Sequence, residues 1–162
     1  MKSVRLNHEY LEILRVWRND SENNRYFEIR EFITADEQVK WFNELSESDY
    51  YWIFLEENVP IGYGHLNIIN LDSASVGLMI GEKSYRSCGL GFSASKFLLD
   101  YAFDTLNLNS IVAKVHNENI ESLAYNRYIG FENLKTDKGD FTYQILERKV
   151  FEANRQLYNR MS

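Results

Sequence analysis

The sequence has one cysteine, one proline and three histidines in 162 residues. Each scarcity closes off a class of protein. With Cys88 alone there is no internal disulfide, which argues against a secreted disulfide scaffold. One proline and no low-complexity tract leave no linker, so residues 1–162 read as a single domain, long enough to bury a real core. Three histidines without metal-like spacing predict no metal site. Basic charge is also short: 18 Lys and Arg stand against 24 Asp and Glu, a net charge of −6. That removes the general electrostatic case for nucleic acid as a partner. No apolar run is long enough for a membrane span and none at the N-terminus resembles a signal peptide, so the expected address is the cytoplasm, with no membrane partner.

Aromatic residues are abundant, with 11 Tyr and 10 Phe at 15% aromatic overall. This favours a well-packed sheet and a groove with aromatic walls. Along the chain, residues 3–6 read as a first strand. Tyr10, Leu11, Leu14 and Trp17 form a helical stripe that should stop near Asp20. Thr34 and Glu37 make a capping box for a second helix, with Val39, Phe42 and Leu45 as its apolar face. Three strands follow at residues 50–55, 61–69 and 76–82. A helix to about Leu106 carries Ala94, Phe97, Leu98, Tyr101, Ala102 and Leu106 on one face. Residues 111–115 are a β-branched strand. Ile120, Leu123, Ala124 and Tyr128 line a shorter helix that Gly130 can terminate. Two strands, at residues 131–134 and 141–146, turn at Asp137-Lys138-Gly139-Asp140, and residues 149–160 form a terminal helix. The order is β-α-α-β-β-β-α-β-α-β-β, an α/β fold on a mixed sheet in which the central helix joins a parallel pair.

Between strand and central helix lies Arg86-Ser87-Cys88-Gly89-Leu90-Gly91. A glycine turn at a helix start offers amides and the positive end of the helix dipole to an anion. Gly89 and Gly91 would let a phosphate approach the backbone, and Arg86 can add a charged donor. The same turn can also be chosen for packing alone. No Lys-Ser/Thr pair closes it, so it is not a Walker A loop, and without a third glycine on a first strand it is not a Rossmann fingerprint.

Arg86-x-x-Gly89-x-Gly91, followed by Asn119-x-x-Ser122 and Gly130-Phe131, resembles the GNAT superfamily of acyl-CoA N-acyltransferases over nearly the whole chain. Trp17-Arg18-Asn19 and Trp41-Phe42 resemble the branch holding ribosomal-protein N-terminal acetyltransferases and the sugar-nucleotide N-acetyltransferases of nonulosonic acid pathways. The resemblance implies acetyl-CoA as co-substrate. Its pyrophosphate would lie on Ser87, Cys88, Gly89, Leu90 and Gly91, with Arg86 nearby. Its pantetheine arm would pair with strand backbone at Met79, Ile80 and Gly81, where two parallel strands splay. Asn119 would hold the cofactor, with Ser122 one turn on. Relatives carry a tyrosine acid seven residues after that asparagine, where this chain has Asn126. Asn126 would then face the leaving sulfur, and the acid would move to Tyr125 or Tyr128, with Tyr125 favoured, or the thiolate would leave with help from water or another group, as a thiol of ordinary acidity permits.

Strand amides can stabilise the oxyanion, and His116 is the best-placed base for the acceptor amine. His116 also reads as a strand-end histidine, and His65 carries the same two readings. Glu82 reads as a turn residue, Cys88 as a small loop residue rather than a nucleophile, and Trp17, Trp41 and Trp52 as core. Arg18, Arg25 and Arg30 read either as a rim for an acceptor phosphate or as solvated charge. Three functions stay open: transfer to a small-molecule amine such as a nucleotide-linked amino sugar, transfer to a protein N-terminus, and acetyl-CoA binding without transfer. Monomer and homodimer both stay open.

Overall fold

The computed structural model describes residues 1–86, 88–134 and 139–160. Its strands are β1 (Lys2–Arg5), β2 (Asp49–Glu56), β3 (Val59–Asn70), β4 (Ser73–Ile80), β5 (Ser110–His116), β6 (Glu132–Asn133) and β7 (Phe141–Glu147). Its α-helices are α1 (Leu11–Asn19), α2 (Ala35–Asn43), α3 (Leu90–Asp100), α4 (Ile120–Tyr128), α5 (Arg148–Ala153) and α6 (Arg155–Asn159). The strands form one seven-stranded sheet in the order β1-β2-β3-β4-β5-β7-β6. The expected element order holds, with the terminal helix in two pieces. The turn expected at Asp137 and Lys138 lies outside the described residues.

Two apolar layers sandwich the sheet. On one face Ala94, Leu98, Leu99, Ala102 and Phe103 of the central helical segment pack with Trp52, Phe54, Leu66, Ile111, Ala113, Val115 and Leu123. On the other, Leu14 and Trp17 of α1 pack with Ile53, Leu55 and Tyr63. Strand alternation explains both, since successive side chains point to opposite faces. Thus Val76 and Leu78 join the first layer and Met79 the second. The central helix ends in a π-helical turn at Tyr101–Thr105, where Leu106 N–H reaches the Tyr101 carbonyl at 2.9 Å.

The capping box is present: the Glu37 amide donates to Thr34 Oγ1, and the Glu37 side chain accepts from the Thr34 amide. The apolar face expected for α2 is corrected. Its buried residue is Gln38, while Val39 is 40% exposed. The face of α4 is corrected too. Leu123 is buried, whereas Ile120, Ala124 and Tyr128 face solvent. On α4 a polar side chain goes with this orientation, since Asn126 bonds to Gln144 of the sheet.

Sheet spacing near β4 depends on Gly62. A Cβ there would sit 2.2 Å from the Met79 carbonyl oxygen, an atom of the neighbouring backbone that cannot swing aside. Gly62→Ala should therefore cost about 3 kcal/mol of stability. A urea midpoint equal to wild type would contradict this β3–β4 spacing.

Candidate active site

β4 and β5 run parallel but pair only through Ser73–Ser110, Ala74–Ile111 and Ser75–Val112. Beyond that point they part. β4 stays on β3 as far as Ile80, and β5 stays on β7 as far as His116. Each half of the sheet keeps its own partner, so the right-handed twist opens a wedge between residues 76–80 and 113–116. This is the splay that the resemblance implied.

At its mouth, Gly89 caps α3 in a left-handed conformation (φ 78°), a backbone shape that favours glycine. Gly91 lies inside the first turn of α3. Cβ atoms built at Gly89 and Gly91 meet nothing within 4 Å. At Gly62, Gly77 and Gly81, by contrast, a Cβ would strike protein within 2.4 Å. Glycine inside a helix costs about 0.5–1 kcal/mol against alanine, and nothing within the described residues requires Gly91. The open cradle at a helix start fits an anionic group held on backbone amides. Cys88 is exposed there, its Sγ 3.8 Å from the Ser84 carbonyl oxygen. Leu90 opens the helix, and Ser87 lies outside the described residues.

Three of the five N–H donors of Arg86 are engaged by the β4 end and by the connection between α1 and α2. Its Nε donates to the Ile80 carbonyl at 3.2 Å, one terminal nitrogen to Glu22 at 2.8 Å, and the other to Asn23 Oδ1. Asn23 Nδ2 also caps the Gly81 carbonyl. The carbonyls of Ile80 and Gly81 each accept one of these bonds.

Asn119 is the N-cap of α4. Its Oδ1 accepts the Ser122 amide at 3.2 Å, leaving Nδ2 as its donor toward a ligand. The expectation that Asn126 faces a leaving thiolate is corrected. Its amide donates to buried Gln144 at 2.9 Å, and Gln144 donates in turn to the Leu123 carbonyl and to Asn133. A buried amide left without partners is costly, so Gln144 draws Asn126 to the sheet.

The expected placement of Tyr125 and Tyr128 on different faces is corrected: three residues apart they are neighbours on α4, both rings meet Phe92 edge-on, and burial is what separates them. Tyr128 is 61% exposed. Tyr125 reaches into the α3–α4 contact, where its hydroxyl donates to Ser95 Oγ at 2.8 Å and its ring meets Phe92 edge-on. Burial pushes its pKa up, so it stays protonated over a wide pH range.

His116 lies between Tyr26 and Phe141. Its Nδ1 accepts the Glu118 amide at 3.2 Å. That contact uses the Nδ1 lone pair, so a base role at this nitrogen would require the bond to open.

On the face away from α3, sequence reasoning missed a connected row. Trp41 meets Tyr51 edge-on at 5.0 Å, Tyr51 stacks on His65 at 5.1 Å, and His65 lies over the bare Cα of Gly77 in β4. Beside Trp41 is a cavity of about 260 Å³ lined by Arg18, Ile29, Phe32 and Gln38. Arg18 Nε and both Gln38 amide atoms are buried without partners, as is His65 Nδ1. No periodicity signals such a row, because its members come from three separate elements.

Burial, with a smaller push from Arg18, brings the His65 pKa down to about 4. The unfolded chain therefore takes up this proton first. The stability is present in full above about pH 6.5 and drains as pH falls toward 4. Between pH 7 and 5 the wild type should lose about 2 kcal/mol more than His65→Phe, which keeps a ring on Gly77 and cannot titrate. Parallel pH slopes in urea melts would show that His65 is solvated.

Comparison with known proteins agrees with this geometry. The family model described as Acetyltransferase (GNAT) domain matches residues 4–132. Acetyltransferase PseH from Campylobacter jejuni is 24% identical over 151 residues, spanning 91% of this chain and 92% of that protein. The crystal structure of that PseH in complex with acetyl coenzyme A superposes with a TM-score of 0.71 at 22% identity, over 91% of this chain and 98% of that one. Spermidine N-acetyltransferase from Vibrio cholerae, in complex with CoA and spermine, superposes with a TM-score of 0.83 at 20% identity, over 93% and 97% of the two chains. With four-fifths of its length matched by the family model, wedge and glycine cradle included, the chain belongs to the GNAT acetyltransferases.

Proposed function

We propose that this acetyl-CoA-dependent N-acetyltransferase acylates the primary amine of a small molecule by direct transfer, with a nucleotide-linked amino sugar as acceptor. The observation that carries the reading is the pair of loop glycines whose missing side chains leave open space at the mouth of the wedge. Acetyl-CoA supplies the activated acetyl group as a thioester. The amides of Cys88, Gly89, Leu90 and Gly91 receive its diphosphate, and the α3 dipole adds favourable charge. The β4 edge from Val76 to Met79 pairs with the amide-bearing arm as an added strand would. Asn119 Nδ2 and Ser122 hold it from α4.

Strand amides stabilise the oxyanion that develops at the reacting carbonyl. As the new N–C bond forms and the C–S bond breaks, the Tyr125 hydroxyl gives its proton to the leaving sulfur. The proton shed by nitrogen restores the phenol through solvent. α3 and α4 fill one face of the wedge, so the acceptor enters from the other, past the Trp41–Tyr51–His65 row. Aromatic walls beside Arg18 suit a sugar and an anionic tail. Similarity to Acetyltransferase PseH across nearly the full chain supports the same branch.

The test is thiol release from acetyl-CoA with three acceptor classes: uridine-diphosphate amino sugars, spermidine and basic N-terminal peptides. The fastest turnover is expected with the nucleotide sugars. Preference for spermidine or for peptides would replace that acceptor. Binding of acetyl-CoA without release for any amine would make this a binding module.

A further inference from the structure

The connection between α1 and α2 crosses the open face of the wedge and is tied to both lips. On the β4 lip, Arg86 holds Glu22 and Asn23, Lys83 pairs with Asp20 and Glu22, and Asn23 caps the Gly81 carbonyl. On the β5 lip, Glu28 pairs with Lys114 at 2.6 Å, and the Tyr26 ring lies 5.6 Å from that of His116. Lys114 and His116 alternate with Ala113 and Val115, which are buried under α3 and α4, so they face the strap.

We infer that Arg86 and Glu22 are positioning residues: they staple this strap to the cofactor loop and so set the wall against which the acceptor amine is aligned. The inference rests on reading the wedge as the acetyl-CoA groove. Exposed ion pairs are individually weak. What distinguishes Arg86 is that all three of its nitrogens bond to groups on two separate segments, the strap and the end of β4. A guanidinium so engaged is held toward the strap, although it directly precedes the phosphate cradle. The strap is long and has no helix or strand of its own, so without the staple its Tyr26 and Glu28 would lose their fixed distance from β4.

The test is a double-mutant cycle on Glu22→Ala and Arg86→Ala, with hydrogen exchange over residues 22–28 and calorimetric acetyl-CoA affinity as readouts. Each single variant should speed exchange about tenfold, and the double variant by clearly less than the product of the two, because the Glu22–Arg86 contact is lost in both while Glu22–Lys83 and Arg86–Asn23 are each lost in one. Acetyl-CoA affinity should stay within threefold of wild type in all three. With whichever amine turns over, KM should rise at least fivefold while kcat stays within twofold.

Unchanged exchange, additive effects in the double variant, or acetyl-CoA binding weakened beyond threefold in Arg86→Ala alone would each overturn the inference. Should Arg86→Ala fail to fold, Glu22→Ala, on an exposed connection, still decides the exchange arm. If wild type binds no acetyl-CoA, the groove reading fails, while the exchange data still decide whether the staple exists.

Discussion

Gly91→Leu should abolish measurable acetyl-CoA binding, a loss of at least about 100-fold, while the protein becomes no less stable. The two effects separate because Gly91 has an ordinary helical backbone and open space around its Cα. Leucine is a good helix former, so the substitution removes a backbone entropy cost of about 0.5–1 kcal/mol. The same side chain fills the cradle in which the diphosphate would lie on helix amides. A melting temperature raised or unchanged, together with lost calorimetric binding, is the expected pair of results. Retained binding would place the diphosphate elsewhere and sink the cradle assignment. Gly89 is a poorer test, because its φ of 78° adds backbone strain to any substitution.

Tyr125→Phe should lower kcat by about 10²–10³ with acetyl-CoA affinity unchanged, the usual size of a general-acid contribution. Its hydroxyl sits between α3 and α4, oriented by Ser95 and kept protonated by burial. Tyr128→Phe should be nearly silent, since that ring is 61% exposed. A loss below tenfold in Tyr125→Phe would mean that the thiolate leaves without a protein acid. If Tyr128→Phe alone is crippled, the orientation of α4 is wrong. Asn126 can no longer be offered for this step, because its amide belongs to the Gln144 network.

The sequence alone determined what depends on neighbours along the chain. The Thr34–Glu37 capping box, the glycine turn before α3 and the Gly130 stop after α4 are all closed by contacts within a few residues. Gly130 indeed has a φ of 102°. The order of elements followed from these local signals. So did the place of the glycine cradle.

Tertiary structure decided the partners. Arg86 shows no partner in the sequence, and only the fold brings Glu22, 64 residues away, against it. Lys114 and Glu28 are 86 residues apart and meet only because the strap crosses the wedge. Asn126 looks like a substitute for a tyrosine until Gln144 claims it from β7, and His65 looks like any strand histidine until Gly77 leaves room for its ring. Hydrophobic periodicity ranks residues by how much water they shed, so it places apolar side chains. It carries no information about which buried donor will meet which acceptor. That pairing is set by strand register and by where twist parts β4 from β5, and both are properties of the assembled sheet.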